Sequence, residues 1–167
     1  MKNIQGNIIN HDNSLVGEIS FEKNIKSIKR IENLKIDNYI IPGFIDLHCH
    51  GGNGFDTMEG LDSIKNMSSY HLSKGTTSLL ATTWTSTFDH IYKALDGFQS
   101  LINLDSNLLG VHLEGPFINP NKLGAQPPLT QKPSKEFIEK IMSISDIKVI
   151  TLAPEIEGMQ EFIPFIN

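Results

Sequence analysis

The 167-residue sequence predicts an α/β fold: the N-terminal part of a (β/α)8 TIM-type barrel, preceded by a small β segment. Three observations carry this. From Tyr39 onward, apolar strand candidates alternate with amphipathic helix candidates, the pattern of a parallel sheet with helical crossovers. Polar side chains stand at the C-terminal ends of several different strands, which favours a closed barrel over an open doubly wound sheet. The first 40 or so residues instead read as short β-branched strands separated by Asn, Asp and Gly. The expected organisation is a β segment over 1–41 and about four βα units over 42–167. A complete barrel takes roughly 250 residues, so the chain is expected to be a fragment or truncated form of a longer protein.

The elements follow in order. "NIQGNIIN" leads into the turn signal "HDNS", then "VGEISFE" and "SIKRIENLKI". "YIIPGFIDLHCH" is the first barrel strand, with Pro42 near its start, where proline is tolerated. "LDSIKNMSSYHLSKG" is a helix carrying Leu61, Ile64, Met67 and Leu72 on its apolar face and Gly75 at its C-terminal cap. "TTSLLATT" is the second strand. "STFDHIYKALDGFQSLI" reads as one helix with the apolar set Phe88, Ile91, Leu95 and Phe98. "NLLGVHLEG" is the third strand. After a Pro/Gly-rich loop from Pro116 to Pro133, "SKEFIEKIMSIS" opens on the N-cap candidate Ser134. "IKVITLAPE" is the fourth strand, and "GMQEFIPFIN" begins another helix.

The composition is that of an ordinary globular protein, 39% hydrophobic and 20% charged, with a formal net charge of -5. A mildly acidic chain has no general attraction to nucleic acid or to anionic membranes, so neither is an expected partner. No apolar run approaches the roughly 20 residues of a membrane span, and the N-terminus lacks a signal-peptide core. Cys49 is the sole cysteine, which excludes a disulfide framework and a cysteine zinc cluster. A cytoplasmic location is the expectation.

Two stretches carry chemistry. In "PGFIDLHCHGG" (Pro42 to Gly52), alternation along a strand puts His48 and His50 on one face and Cys49 on the other. In a barrel that face is the interior, and two imidazoles at its rim suit a divalent metal such as zinc. In "HLEGPF" (His112 to Phe117), Glu114 ends the third strand on the same face as His112, while Leu113 faces the helices. A carboxylate on an interior rim costs several kcal/mol unless paired or metal-bound, so it calls for a cation. His112, one step deeper, reads as a packed residue behind the ligands. His11, His71 and His90 read as surface or satisfied residues. Thr82, Thr83 and Thr85 are expected to satisfy rim hydrogen bonds, and Trp84 to pack.

The motifs "PGFIDLHCHGG", "GTTSLLATTWTS", "HLEGPFINPNKLGAQPP" and "TLAPE" occur in that order, and together they resemble the N-acetylglucosamine-6-phosphate deacetylases of the amidohydrolase superfamily. "PGFIDLHCH" is shared across the superfamily; "HLEGPF" followed by "KLGA" is more specific. The resemblance covers essentially the whole chain. It implies hydrolysis of the acetamido group of a phosphorylated amino sugar to glucosamine 6-phosphate and acetate. It also implies a (β/α)8 amidohydrolase barrel with a small β domain. The family's glutamate metal ligand falls on Glu114, and the strand-one pair that holds a second metal in some members falls on His48 and His50. The metal implied is zinc, with iron or another divalent cation as alternatives. The substrate-contacting pair falls on Ala125 and Gln126, the second of which is commonly histidine in the family. A homodimer is expected for the complete protein.

The resemblance further implies that the general-base aspartate and two further metal-ligand histidines lie beyond Asn167. Residues 1–167 alone are accordingly expected to show no appreciable deacetylase activity. Two other readings stay open at this point. One is a dihydroorotase-, hydantoinase- or deaminase-like amidohydrolase; the absence of a lysine in "TLAPE" argues against several of these. The other is a non-catalytic, decayed fragment.

Overall fold

Pro42 and Gly43 interrupt what the sequence reads as one strand. Tyr39–Ile40 joins one sheet and Phe44–Cys49 another, because proline has no N–H to donate to a ladder. The computed structural model describes residues 1–32, 36–102 and 107–166. The chain divides into two units, Met1–Gly43 and Phe44–Asn167.

In the first unit, β1 (Lys2–Ile9), β2 (Ser14–Phe21), β3 (Ile25–Arg30) and β4 (Tyr39–Ile40) form a sheet of order β3-β2-β1-β4. β1 and β2 pair antiparallel from Lys2↔Phe21 to Ile9↔Ser14, β3 continues antiparallel, and β4 runs parallel to β1. Ile8 and Ile19 are its buried apolar residues. The expected strand "SIKRIENLKI" is observed in its first part only: β3 ends at Arg30, Ile31 and Glu32 lie past it, and residues 33–35 lie outside the described residues.

The second unit opens with β5 (Phe44–Cys49), the small hairpin of β6 (Gly51–Gly52) and β7 (Phe55–Asp56), and α1 (Leu61–Ser73). Then follow β8 (Thr76–Thr82), α2 (Phe88–Leu95), α3 (Phe98–Ile102), β9 (Leu108–Glu114), α4 (Lys135–Ile144), β10 (Ile147–Thr151) and α5 (Met159–Ile166). The sheet order is β10-β9-β8-β5, with all neighbours parallel. This is the expected succession of βα units, and the four C-terminal strand ends share one rim. The single helix expected over "STFDHIYKALDGFQSLI" is two, broken where Gly97 takes φ 79, a conformation glycine adopts without a Cβ penalty. The helix "SKEFIEKIMSIS" starts where expected: the Ser134 side chain accepts the Phe137 N–H at 3.2 Å.

Alternation decides which side chains build the core. Leu79 and Ala81 of β8 and Val111 and Leu113 of β9 turn toward the helices. There they pack with Ile64 and Met67 of α1, Ile91 and Leu95 of α2, and Phe137, Ile138 and Ile141 of α4. Phe117, just past the rim, is fully buried, its ring 4.9 Å from that of Phe162 and 5.8 Å from that of Phe137. Full burial of one such ring stabilises by about 2–3 kcal/mol. The opposite face of the same strands holds Leu80, Thr82, His112 and Glu114, which leaves the rim polar. On β5 only Cys49 is covered; Ile45 and Leu47, which share its parity, are 68% and 53% exposed.

Candidate metal centre

His48 and His50 leave the end of β5 and Glu114 ends β9, with β8 between them in the sheet. The structure brings all three together. His48 Nε2 lies 3.0 Å from His50 Nε2 and 2.9 Å from Glu114 Oε2, and His50 Nε2 is also 2.9 Å from Glu114 Oε2. Among the described residues this is the one group of three or more His, Cys, Asp or Glu whose donor atoms converge, within 4.8 Å of one another.

The His50 tautomer follows from its partner. His50 Nδ1 faces the carbonyl oxygen of Thr82 at 3.2 Å, and a carbonyl only accepts, so Nδ1 carries the hydrogen. A neutral His50 therefore directs the Nε2 lone pair toward His48 Nε2 and the Glu114 carboxylate. The His50 lone pair, the Glu114 carboxylate and His48 Nε2 meet at one point, a convergence that a bound cation would satisfy. Ligands held roughly 2.0–2.2 Å from one divalent ion stand about 3 Å apart, so the donor set and its spacing fit a metal such as zinc. Glu114 is half-buried, and a cation offsets the cost of taking its charge out of water.

The support around these residues comes from backbone and hydroxyl groups. Thr82, fully buried at the end of β8, takes the His50 ring on its carbonyl and the Cys49 N–H on its hydroxyl at 2.9 Å. The His50 carbonyl accepts the Thr57 N–H at 2.8 Å. His48 N–H donates to Asp46 Oδ1 at 3.0 Å. His112 is buried, with Nδ1 donating to the Leu47 carbonyl at 3.0 Å and Nε2 accepting from the Thr151 hydroxyl at 2.7 Å. Burial lowers its pKa below the ordinary histidine value, and the bond to Leu47 only partly opposes this. Burial likewise raises the Cys49 thiol pKa, with the nearby Asp46 charge acting in the same direction.

The loop after β9 turns back onto the same rim. Gln126 is half-buried, and its Oε1 accepts the Thr85 N–H at 2.7 Å, beyond the end of β8. Ala125 beside it is exposed. Asn119, where the loop begins, donates to Glu155 Oε1 at 2.8 Å in the loop after β10. Trp84 is partly exposed at 37%, whereas Thr83 and Thr85 flanking it are fully buried. His71, read from sequence as a surface or satisfied residue, is satisfied: its Nε2 lies 3.1 Å from the Gly51 carbonyl behind His50, a placement beside the histidine pair that the sequence reading did not give it. The one available signal was the Gly-Gly after the histidine pair, which marks a place where another group comes close.

Residues 39–158 match the model of the amidohydrolase family. The chain is 35% identical over 162 residues to the N-acetylglucosamine-6-phosphate deacetylase of Bacillus subtilis (strain 168), spanning 91% of this chain and 41% of that protein. It is 32% identical over 126 residues to the N-acetylgalactosamine-6-phosphate deacetylase of Escherichia coli O157:H7, spanning 71% of this chain and 33% of that one. Among solved structures, the N-acetylglucosamine-6-phosphate deacetylase of Thermotoga maritima superposes with a TM-score of 0.84 at 30% identity. That match covers 99% of this chain and 46% of the other. The chain thus spans less than half the length of these relatives.

Proposed function

Because the chain belongs to the amidohydrolase family and carries the opening strands of its (β/α)8 barrel, we propose that its rim serves metal-assisted deacetylation of N-acetylglucosamine 6-phosphate. The observation that carries this is the convergence of His48, His50 and Glu114 at the ends of two strands, in a chain similar to such deacetylases along nearly its whole length.

His48, His50 and Glu114 would hold a divalent cation, with zinc suited to two imidazoles and a carboxylate. When bound, it supplies Lewis-acid polarisation of an amide carbonyl and a more acidic water. The chain's own residues do the rest of what this rim can do. Thr82 fixes the His50 ring and its tautomer, so that Nε2 needs no reorganisation to act as a ligand. Glu114 contributes the negative charge that two neutral imidazoles lack. His112 has both ring nitrogens engaged, so it is unavailable as a proton acceptor for substrate. Gln126 has spent its carbonyl on Thr85 and keeps two amide hydrogens, which suit the hydroxyl or phosphoryl oxygens of a sugar phosphate.

A chimera tests the reading: residues 1–167 would replace the corresponding part of the Bacillus subtilis relative, and acetate release from N-acetylglucosamine 6-phosphate would be followed. Turnover is expected, and Glu114→Gln should reduce it, because the site would lose the charged ligand that holds the cation. A chimera that folds and binds metal yet releases no acetate would refute the proposal. Preference for N-acetylgalactosamine 6-phosphate in the same assay would transfer it to the other sugar.

A further inference from the structure

We propose that His71, on α1, is a positioning residue that holds the ligand His50 in place from behind the sheet; this rests on reading His48, His50 and Glu114 as a metal site. His71 Nε2 lies 3.1 Å from the Gly51 carbonyl and 3.3 Å from Cys49 Sγ. Those are the two residues that flank His50. The contact is built into the local sequence, because a Cβ at Gly52 would stand 2.5 Å from His71 Nε2. Only glycine there lets the ring reach the backbone. Gly51 is restricted as well, since a Cβ on it would meet the Phe55 carbonyl at 2.4 Å.

His50 is thereby gripped from two sides. On the β8 side, Thr82 takes its Nδ1–H and the Cys49 N–H. On the α1 side, His71 takes the Gly51 carbonyl and packs on the Cys49 sulfur, which also touches Met67 Sδ at 3.9 Å. α1 is anchored in the core through Ile64 and Met67, both fully buried. The chain therefore ties Gly51–Gly52, the strand that follows His50, to a helix whose Ile64 and Met67 are fully buried in the core. Without His71, the Gly51 carbonyl keeps the Cys49 thiol at 3.5 Å, and the segment keeps its pairing with β7 and the His50–Thr57 bond, but it loses its tie to α1, and the approach of His50 Nε2 to Glu114 is held less firmly. Outer partners of metal ligands typically govern affinity by about 10–100-fold.

The test titrates Co²⁺ into the full chain and reads its visible absorption, with denaturant midpoints measured in parallel. His71→Ala should weaken Co²⁺ binding by about 10–100-fold, and His71→Gln, which keeps an N–H for Gly51, should recover most of it. Gly52→Ala, which drives a methyl group into the ring's position, should weaken binding to a similar degree; if one of these variants does not fold, the other decides. A folded variant that binds Co²⁺ as the native chain does overturns the proposal, even where its stability has fallen. A native chain whose Co²⁺ spectrum is unchanged by His48→Ala instead overturns the metal-site reading itself.

Discussion

The Nδ1–H of His112 donates to the carbonyl oxygen of Leu47 at 3.0 Å, bridging β9 to β5 over the intervening β8. Its other nitrogen accepts from Thr151 on β10. One buried ring thus ties three strands together and sets the position of Leu47, the residue before His48. His112→Ala should destabilise the protein by about 1–3 kcal/mol, because it leaves a carbonyl and a hydroxyl without their partner. Urea denaturation measures this, and a loss below about 0.5 kcal/mol would show the clamp to be unimportant.

The same residue predicts a pH dependence. Burial lowers the folded-state pKa of His112, whereas in the unfolded chain the ring protonates near the ordinary value of about 6.5. Below that pH the unfolded state binds the extra proton, so stability falls as the pH drops from about 6.5 toward the folded pKa. The contribution is fully present above 6.5. Native protein should therefore gain stability between about pH 5 and 7 more steeply than His112→Asn does. Equal slopes for the two proteins would remove His112 as the cause.

Gly115 should not tolerate a side chain. It takes φ 73, and a Cβ there would stand 2.4 Å from Thr85 Oγ1 and 3.0 Å from Thr85 Cα. Gly115→Ala is expected to cost more than about 2 kcal/mol, of which roughly 1–2 is backbone strain. Combining it with Thr85→Ala should relieve part of the clash and none of the strain. A double-mutant cycle with no coupling between the two positions would contradict the close approach.

Gln126 should act mainly on substrate affinity. Its Oε1 holds the Thr85 N–H, so Gln126→Ala frees both the loop and a buried donor. In the chimera with the Bacillus subtilis relative, KM for the sugar phosphate should rise by about tenfold, the scale of one hydrogen bond worth roughly 1.4 kcal/mol, with kcat changed less. Unchanged KM would dismiss the substrate role of this residue.

Much of this molecule was legible from the chain because it is encoded locally. A period of two puts His48 and His50 on one face of β5, and His112 and Glu114 on one face of β9, whatever lies next to them. Apolar spacing, Ser134 and Gly75 marked helix ends through interactions that run over a few residues. The break at Gly97 went unread because an apolar period continues across it, while the backbone angle does not show in that pattern. What the tertiary structure decided is contact between segments. Glu114 meets His48 from 66 positions away in sequence, and His71 meets Gly51 from 20. These meetings depend on strand register, sheet twist and the seating of α1, which the packing of the whole core selects at once, so no single stretch of sequence contains them.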